Sequence, residues 1–169
     1  MSINPIECRK LWHSYPGGFN ALKETDLDVS AGEIVGIVGQ NGSGKTTLVK
    51  HFNGLLKPSS GTVTINGIDT AEESVFNLSR QTGYVFQNPN HQLFATSVMS
   101  ELQFGPNNLG LSEDEVLARV EETAELFQLQ DVIMEHPLRL SFPLRKIVAM
   151  ASIYAMRPSI FILDEPTNG

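Results

Sequence analysis

The sequence contains a single cysteine, Cys8, and no excess of basic residues, and both shortages restrict its function. One cysteine excludes an internal disulfide and favours a reducing compartment. Acidic residues outnumber lysine and arginine by 19 to 12, for a net charge of −7, which argues against a nucleic-acid-binding face. The most apolar stretch, Ile147 to Met156, has about half the length of a membrane-spanning helix. These absences leave a chain of 169 residues, long enough for one hydrophobic core, whose function is carried by local motifs.

A glycine-rich segment in the first third of the chain matches the pattern G-x-x-x-x-G-K-[ST] of phosphate-binding P-loops. The run Ile34–Val38 before it is apolar and rich in β-branched residues, which predicts a strand, and Leu48–Phe52 after it can continue as a helix. Strand, glycine turn and helix are the context that a P-loop requires. The predicted nucleotide-binding residues of this segment are Gly39, Gln40, Asn41, Gly42, Ser43, Gly44, Lys45, Thr46 and Thr47.

The residue types of this segment suit phosphate binding. Glycine adopts positive φ and lets backbone N–H groups approach an anion closely. The N-terminus of the following helix adds unpaired N–H groups and a positive dipole. We expect Lys45 to bind the β- and γ-phosphates of a nucleotide and the hydroxyl of Thr46 to ligate Mg²⁺.

A second motif follows the apolar run Ile160–Leu163, which is typical of a short strand in a buried parallel sheet. Two acids, Asp164 and Glu165, come directly after it. In a P-loop enzyme an acid at this place orients Mg²⁺ through water, which is the role predicted for Asp164. Glu165 is the predicted general base for the attacking water. Gln87 ends the predicted strand Gly83–Phe86 and has an amide suited to contact Mg²⁺ and that water.

Turn signals divide the N-terminal part into strands. The segments Ile3–Leu11 and Ala21–Val29 have strand character and are separated by a turn over Trp12–Gly18, which predicts an antiparallel hairpin. Thr62–Ile65 is a further strand, and Asn66-Gly67 after it is a strong tight-turn signal.

Helical signals dominate from about Ser97 onward. Before that point, Ser74–Arg80 is predicted as a short helix. Ser112 and Glu115 form a capping box at the start of one helix. Ser141 is predicted to cap another helix, Leu144–Met156, with Pro143 in its first turn, where a missing N–H costs little.

These elements predict an α/β fold, a P-loop NTPase core with an N-terminal antiparallel β subdomain and an inserted helical subdomain. Residues 1–96 and 157–169 would form the β subdomain and P-loop core, and residues 97–156, approximately, the helical subdomain. Together they would make one domain over residues 1–169.

The order and spacing of these motifs resemble those of ABC-type ATPase subunits, over nearly the whole chain. The residues that carry the resemblance are Tyr15, Gly39–Thr47, Gln87, Leu140-Ser141 and Ile160–Asn168. Within that family, the segments Phe86–Phe94 and Phe104–Leu111 look like those of energy-coupling factor (ECF) transporter ATPases, which import vitamins and cobalt or nickel ions.

The resemblance implies ATP and Mg²⁺ as ligands and assigns further roles to residues. Tyr15 would stack on adenine, Gln87 would be the Q-loop residue, and Asp164 and Glu165 would be the Walker B acid and the catalytic base. The implied partners are a second ABC ATPase subunit, a transmembrane coupling subunit facing the region after Gln87 and a substrate-binding membrane subunit, with no nucleic acid. The implied location is the cytoplasmic face of a prokaryotic cell membrane, as a peripheral subunit.

One departure from the family lies in its signature, Leu-Ser-Gly-Gly-Gln, which acts across a dimer on the partner's γ-phosphate. The corresponding residues after Leu140 are Ser141, Phe142, Pro143 and Leu144. Phe142 adds bulk where the backbone must approach closely, and Pro143 removes a donor. We therefore expect a heterodimer in which this chain completes its partner's ATP site poorly.

A second departure is length, because the family continues with a strand that ends in a switch histidine. None of His13, His51, His91 and His136 is expected to replace it, and each is interpreted as a surface or helix-end residue. We expect the sequence to be a fragment or an incomplete gene product with weak or no hydrolysis by itself. The alternative to an ATPase subunit is therefore a nucleotide-binding module that does not turn ATP over.

Two other classes of nucleotide-binding protein receive less support. ABC-type DNA-repair and chromosome-organising ATPases carry a long coiled coil or a zinc module between P-loop and signature, whereas this insertion is short and without sustained heptads. A GTPase would require an Asn-Lys-x-Asp motif to read the base, and the sequence has none.

Overall fold

The computed structural model describes residues 4–166, which divide into two compact units. One unit extends to Thr82 and the other begins at Gly83. The predicted start of the first strand at Ile3 and the terminal Thr167-Asn168-Gly169 lie outside the described residues.

The first unit is built on a four-stranded antiparallel sheet with the order β2-β1-β3-β4. Its strands are β1 (Ile6–Ser14), β2 (Asn20–Val29), β3 (Ser60–Ile65) and β4 (Ile68–Asp69). The predicted hairpin of the first two strands is confirmed. The tight turn at Asn66-Gly67 is confirmed as well, and both residues have positive φ there.

β1 continues beyond its predicted end at Leu11, because the hairpin turn occupies only the residues after Ser14. His13 therefore lies in the strand, on the buried side that also presents Cys8 and Leu11. Trp12 is partly buried and belongs to the strand rather than to an exposed turn.

Helix α1 (Lys45–Phe52) packs against β2 and β3 and includes the predicted helical run Leu48–Phe52. A short helix, α2 (Val75–Ser79), follows β4. The Ser74 side chain accepts a hydrogen bond from the Asn77 N–H and so caps α2, as the preference of serine for this position predicts.

The strand predicted over Ile34–Val38 is absent from the structure. These residues belong to neither sheet, and the side chains of Ile34 and Val38 are 99% and 92% exposed. Their β-branched composition favours extended backbone, but a strand also requires a hydrogen-bonded neighbour. Within residues 4–166 no strand pairs with this segment.

The second unit combines a two-stranded sheet with three helices. β5 (Thr82–Val85) pairs with β6 (Ile160–Leu163). Helix α3 (Val98–Asn108) packs against both α4 (Glu113–Leu126) and α5 (Phe142–Tyr154). Side chains from all three helices form its core, with Val98, Leu102, Val116, Val120, Val148 and Ala151 among the buried residues.

Two local predictions for this unit differ in their outcome. The capping box of Ser112 and Glu115 is confirmed, with both of its hydrogen bonds present. Ser141 is the N-cap residue of α5 as predicted, but its side chain makes no capping hydrogen bond.

β6 is not buried on both faces, since Phe161 and Leu163 are each 40% exposed. Among residues 4–166, no helix has the length and apolar character to cross a membrane.

The Cys8 thiol gives a simple test of this fold. It is fully buried in β1, and burial raises its pKa to about 12. We expect a disulfide reagent such as Ellman's reagent to leave it unmodified at pH 8 while the chain is folded. In urea, where the thiol regains a pKa of about 8.5, labelling should be complete. Rapid labelling without denaturant would contradict the packing of β1.

Candidate functional site

The phosphate loop lies between residues 33–40, which belong to no helix or strand, and the first turn of α1. Gly44 is the N-cap residue of α1 and has φ +93°, and Gly42 has φ +81°. A Cβ on Gly44 would stand 2.7 Å from the Ala21 carbonyl oxygen, so glycine is required there for space as well as for conformation. A Cβ on Gly39 would meet the Ser43 Oγ at 2.7 Å. The loop is therefore a tightly folded cradle, and its glycines present no side chain that would obstruct a ligand.

Lys45 closes this cradle from the first turn of α1. Its Nζ donates hydrogen bonds to the carbonyl oxygens of Gly39, at 2.9 Å, and Gln40, at 3.0 Å. The ammonium group thus lies over the loop at a helix N-terminus, where positive partial charge already accumulates. No acidic residue occupies the first turn of α1. The arrangement suits a phosphate chain, which carries several negative oxygens.

Tyr15 stands at the β1–β2 turn and contacts α1. The turn is closed by hydrogen bonds from the Tyr15 N–H to the Phe19 carbonyl and from the Gly18 N–H to the Tyr15 carbonyl. The Tyr15 Oη lies 3.2 Å from the Thr47 Oγ1. The structure therefore brings together two predicted nucleotide-binding residues that are 32 positions apart in the sequence.

In the second unit, Asp164 directly follows β6 and is held from β5. The Tyr84 Oη donates a buried hydrogen bond of 2.8 Å to the Asp164 Oδ2, and the Asp164 N–H bonds the Val85 carbonyl. Burial, the hydrogen bond and the negative charge of Asp164 raise the pKa of Tyr84. Tyr84 consequently keeps its proton and remains a donor to the acid.

Glu165 and Gln87 meet beside this pair. The Gln87 Nε2 donates to the Glu165 Oε2 at 2.6 Å. The Lys146 Nζ of α5 donates to the Glu165 carbonyl oxygen at 3.2 Å. Glu165 also has φ +50°, which is uncommon for a residue with a side chain. The predicted base is thus fixed at both its carboxylate and its backbone.

The predicted signature residues form the beginning of α5. Phe142 and Pro143 are its first two residues, directly after Ser141. The Arg145 guanidinium lies 5.6 Å and the Lys146 Nζ 5.5 Å from the centre of the Phe142 ring, within the range of cation–π attraction. The cations of this first turn are therefore associated with an aromatic ring and, for Arg145, with the Asn90 Oδ1 at 2.7 Å.

Sequence reasoning missed two groups of residues at these sites. His13 and His51 are buried, so the interpretation of His13 as a surface residue is wrong, and His51 is a helix-end residue without exposure. Alternation along the strand from the apolar Leu11 places His13 on the same side of β1, which is a signal that could have identified it. For Tyr84, and for Lys146 beside Glu165, no local pattern distinguishes the side chain from an ordinary strand or helix residue.

A glycine loop at a helix N-terminus, closed by a lysine, defines the class of P-loop nucleoside-triphosphate-binding proteins. Residues 22–168 match the family model described as ABC transporter. The chain belongs to this family of ATP-binding proteins, whose members bind ATP together with Mg²⁺.

Among curated proteins, the chain is 48% identical over 164 residues to a putative ABC transporter ATP-binding protein of Pyrococcus furiosus. It is 45% identical over 166 residues to the energy-coupling factor transporter ATP-binding protein EcfA of Methanothermobacter thermautotrophicus. Each match covers 97% of this chain, but only 63% and 53% of the two relatives. A third relative, from Caldanaerobacter subterraneus, is 44% identical and is covered over 29% of its length.

Solved structures agree in fold. CbiO1 of Clostridium perfringens, described as part of the ABC transporter complex cbiONQ, aligns with a TM-score of 0.86 and 36% identity. That alignment covers 98% of this chain and 67% of CbiO1. A dimeric ATP-binding cassette in a post-hydrolysis state, bound to ADP and Pi, aligns with a TM-score of 0.84 and 27% identity, over 96% and 74% of the two chains.

The bond from Tyr84 to Asp164 predicts a measurable cost when the donor is removed. Tyr84→Phe should lower the free energy of unfolding in urea by about 1–3 kcal/mol, because a buried carboxylate oxygen loses the hydrogen bond from Tyr84. Tyr154→Phe is the matched control, since the Tyr154 ring of α5 packs on Phe127, and it should change the free energy of unfolding by less than about 0.5 kcal/mol. Equal effects of the two variants would contradict the bond.

Proposed function

We propose that the chain is the ATP-binding part of an ECF-type ABC ATPase subunit. The observation that carries this proposal is the glycine cradle of residues 39–44 with the Lys45 ammonium closed over it. The EcfA relatives, at 42–45% identity over 97% of the chain, support the ECF type.

Each predicted site residue has a role in this proposal. The backbone N–H groups of residues 39–47 and the Lys45 ammonium bind the phosphates, and Tyr15 stacks on the adenine. Thr46, Gln87 and Asp164 ligate or orient Mg²⁺. When bound, Mg²⁺ neutralises negative charge on the phosphate oxygens.

Glu165 acts as general base in the whole protein and accepts a proton from the attacking water at a carboxylate oxygen. Gln87, which donates to the Glu165 Oε2, keeps this carboxylate oriented. The Lys146 Nζ supports the same orientation through the Glu165 carbonyl. Tyr84 does so for Asp164 by fixing its Oδ2.

The whole protein would hydrolyse ATP and couple it to the uptake of a vitamin or metal ion. Its partners would be a second ATPase subunit, a transmembrane coupling subunit and a substrate-binding membrane subunit, at the cytoplasmic face of a prokaryotic membrane. The CbiO1 neighbour, described as part of a transporter complex, supports such an assembly.

A second candidate function is a module that binds ATP without hydrolysing it. It is favoured by the exposed residues 34–38, which lead into the phosphate loop outside any sheet. A loop without a strand behind it has less support against movement, and catalysis depends on positioning more than binding does. Nucleotide titration beside a turnover assay distinguishes the two functions.

Substitution of Lys45 tests nucleotide binding. Lys45→Ala should weaken Mg·ATP binding by about a hundredfold, because a hydrogen bond to a charged group is worth about 1.5–3 kcal/mol. Lys50→Ala removes the same charge from the last turn of α1 and should change the affinity by less than about threefold. Isothermal titration gives both constants, and equal affinities for the two variants would overturn the role of Lys45.

The beginning of α5 gives a test of the asymmetric dimer. The triple change Phe142→Gly, Pro143→Gly and Leu144→Gln restores the family signature and should raise ATP turnover at the partner's site. The assay uses the assembled complex with Glu165→Gln in this chain, so that the remaining turnover belongs to the partner's site. An unchanged rate of ATP turnover would contradict the proposed asymmetry.

A further inference from the structure

The first unit contains two buried histidines in contact. His51, in the last turn of α1, is fully buried, and His13 of β1 is 8% exposed. The His51 Nε2 lies 3.1 Å from the His13 Nδ1, and the rings meet edge to face with centroids 4.8 Å apart. Two polar rings removed from water require hydrogen-bond partners, and each is the other's partner.

The outer partners of the pair determine where its protons lie. The His51 Nδ1 is 2.7 Å from the Thr47 carbonyl oxygen, which can only accept, so this nitrogen carries a proton. In a neutral ring the His51 Nε2 is then an acceptor. The His13 Nδ1 must be its donor, and it also lies 3.2 Å from the Lys57 carbonyl. The His13 Nδ1 proton is therefore shared between His51 and the Lys57 carbonyl, and the hydrogen bonds from His13 to His51 and from His51 to Thr47 run in one direction, from β1 into α1.

Burial and the neighbouring His13 both lower the pKa of His51. The neutral ring that this hydrogen-bond direction requires is thus the favoured form near neutral pH.

The same two elements meet a second time through Tyr15. The His13 ring packs edge-on against the Tyr15 ring, with centroids 4.7 Å apart, and the Tyr15 Oη bonds the Thr47 Oγ1. The Thr47 hydroxyl therefore contacts the Tyr15 hydroxyl, and the Thr47 carbonyl accepts from His51. Tyr15 and His13 thus contact α1 at Thr47 and His51, which lie about one helical turn apart.

We propose that the pair of His13 and His51 positions Tyr15 beside the phosphate loop for recognition of the nucleotide base. This inference rests on the proposed function. The base and the phosphates of one nucleotide must reach the β1–β2 turn and the loop of α1 at the same time. A fixed distance between the turn and α1 removes part of the ordering cost of binding. The pair maintains that distance without contacting the nucleotide, so both histidines are positioning residues.

The test compares two ligands that share the phosphate chain. Methylanthraniloyl-ATP uses both Tyr15 and the phosphate loop, whereas inorganic tripolyphosphate uses only the loop. His51→Leu in the full chain should weaken binding of the nucleotide by about tenfold, the size of one base–aromatic stacking contact. Its affinity for tripolyphosphate should change by less than about twofold.

Conservative and matched variants separate positioning from folding. His51→Gln places an amide oxygen near the Nε2 position and should restore nucleotide affinity to within about threefold of the wild type. His13→Leu leaves the sequence of α1 intact and should reproduce the selective loss, which keeps the test decisive if His51→Leu fails to fold. His91→Leu makes the same chemical change at an exposed position of the second unit and should alter neither affinity.

The outcomes are distinct. A selective loss of nucleotide affinity in His51→Leu and His13→Leu, with rescue in His51→Gln, supports the inference. Equal losses for both ligands mean that the histidines only stabilise α1, and unchanged affinities mean that they do not act on Tyr15; either result overturns it. A wild-type chain that binds tripolyphosphate and nucleotide equally refutes base recognition by Tyr15, and one that binds neither refutes the proposed function itself.

Discussion

The close approach of Gly44 to the backbone of β2 is the constraint on which the phosphate loop depends. With the Ala21 carbonyl 2.7 Å from where a Cβ would stand and φ at +93°, only glycine fits there. The contact fixes the N-terminus of α1 against the antiparallel sheet. Lys45 is the next residue, so the direction of α1 also decides that its ammonium lies over the Gly39 and Gln40 carbonyls. Phosphate binding in this chain is therefore a consequence of how α1 is attached to a sheet, and not of the loop alone.

The acidic residues of the second unit follow a different rule, in which each functional group is held by a neighbour of complementary chemistry. Asp164 accepts from Tyr84, whose raised pKa keeps it a donor, and Glu165 accepts from Gln87. Two adjacent carboxylates repel each other, and without hydrogen-bond donors neither side chain would have a fixed orientation. Separate donors orient them independently, which is what the proposed roles require, one acid for a metal ion and the other for a proton.

Local signals in the sequence predicted local structure well. The capping box at Ser112, the tight turn at Asn66 and the helix after the P-loop are each encoded within a few residues, and each is present. The run Ile34–Val38 has strand composition but lies in neither sheet, because pairing depends on a partner that composition cannot supply. The contacts of His13 with His51 and of Tyr84 with Asp164 escaped prediction for the same reason, since they join residues 38 and 80 positions apart.

The first turn of α5 is less suited to anion binding than the first turn of α1. Anion binding at a helix N-terminus relies on N–H groups that are free to point at the ligand. Here Pro143 supplies no N–H, and the Phe142 ring lies within about 6 Å of the two cations of the same turn, at the range of cation–π attraction. Arg145 is further engaged by Asn90. An incoming phosphate would have to break these cation–π and hydrogen-bond interactions before it could bind the same cations. At the P-loop, Lys45 would give up hydrogen bonds to two neutral carbonyls and gain stronger ones to charged oxygens. The N-termini of α1 and α5 therefore differ in one physical quantity, the free energy needed to make their donors available, and that difference is the physical basis of the proposed asymmetry.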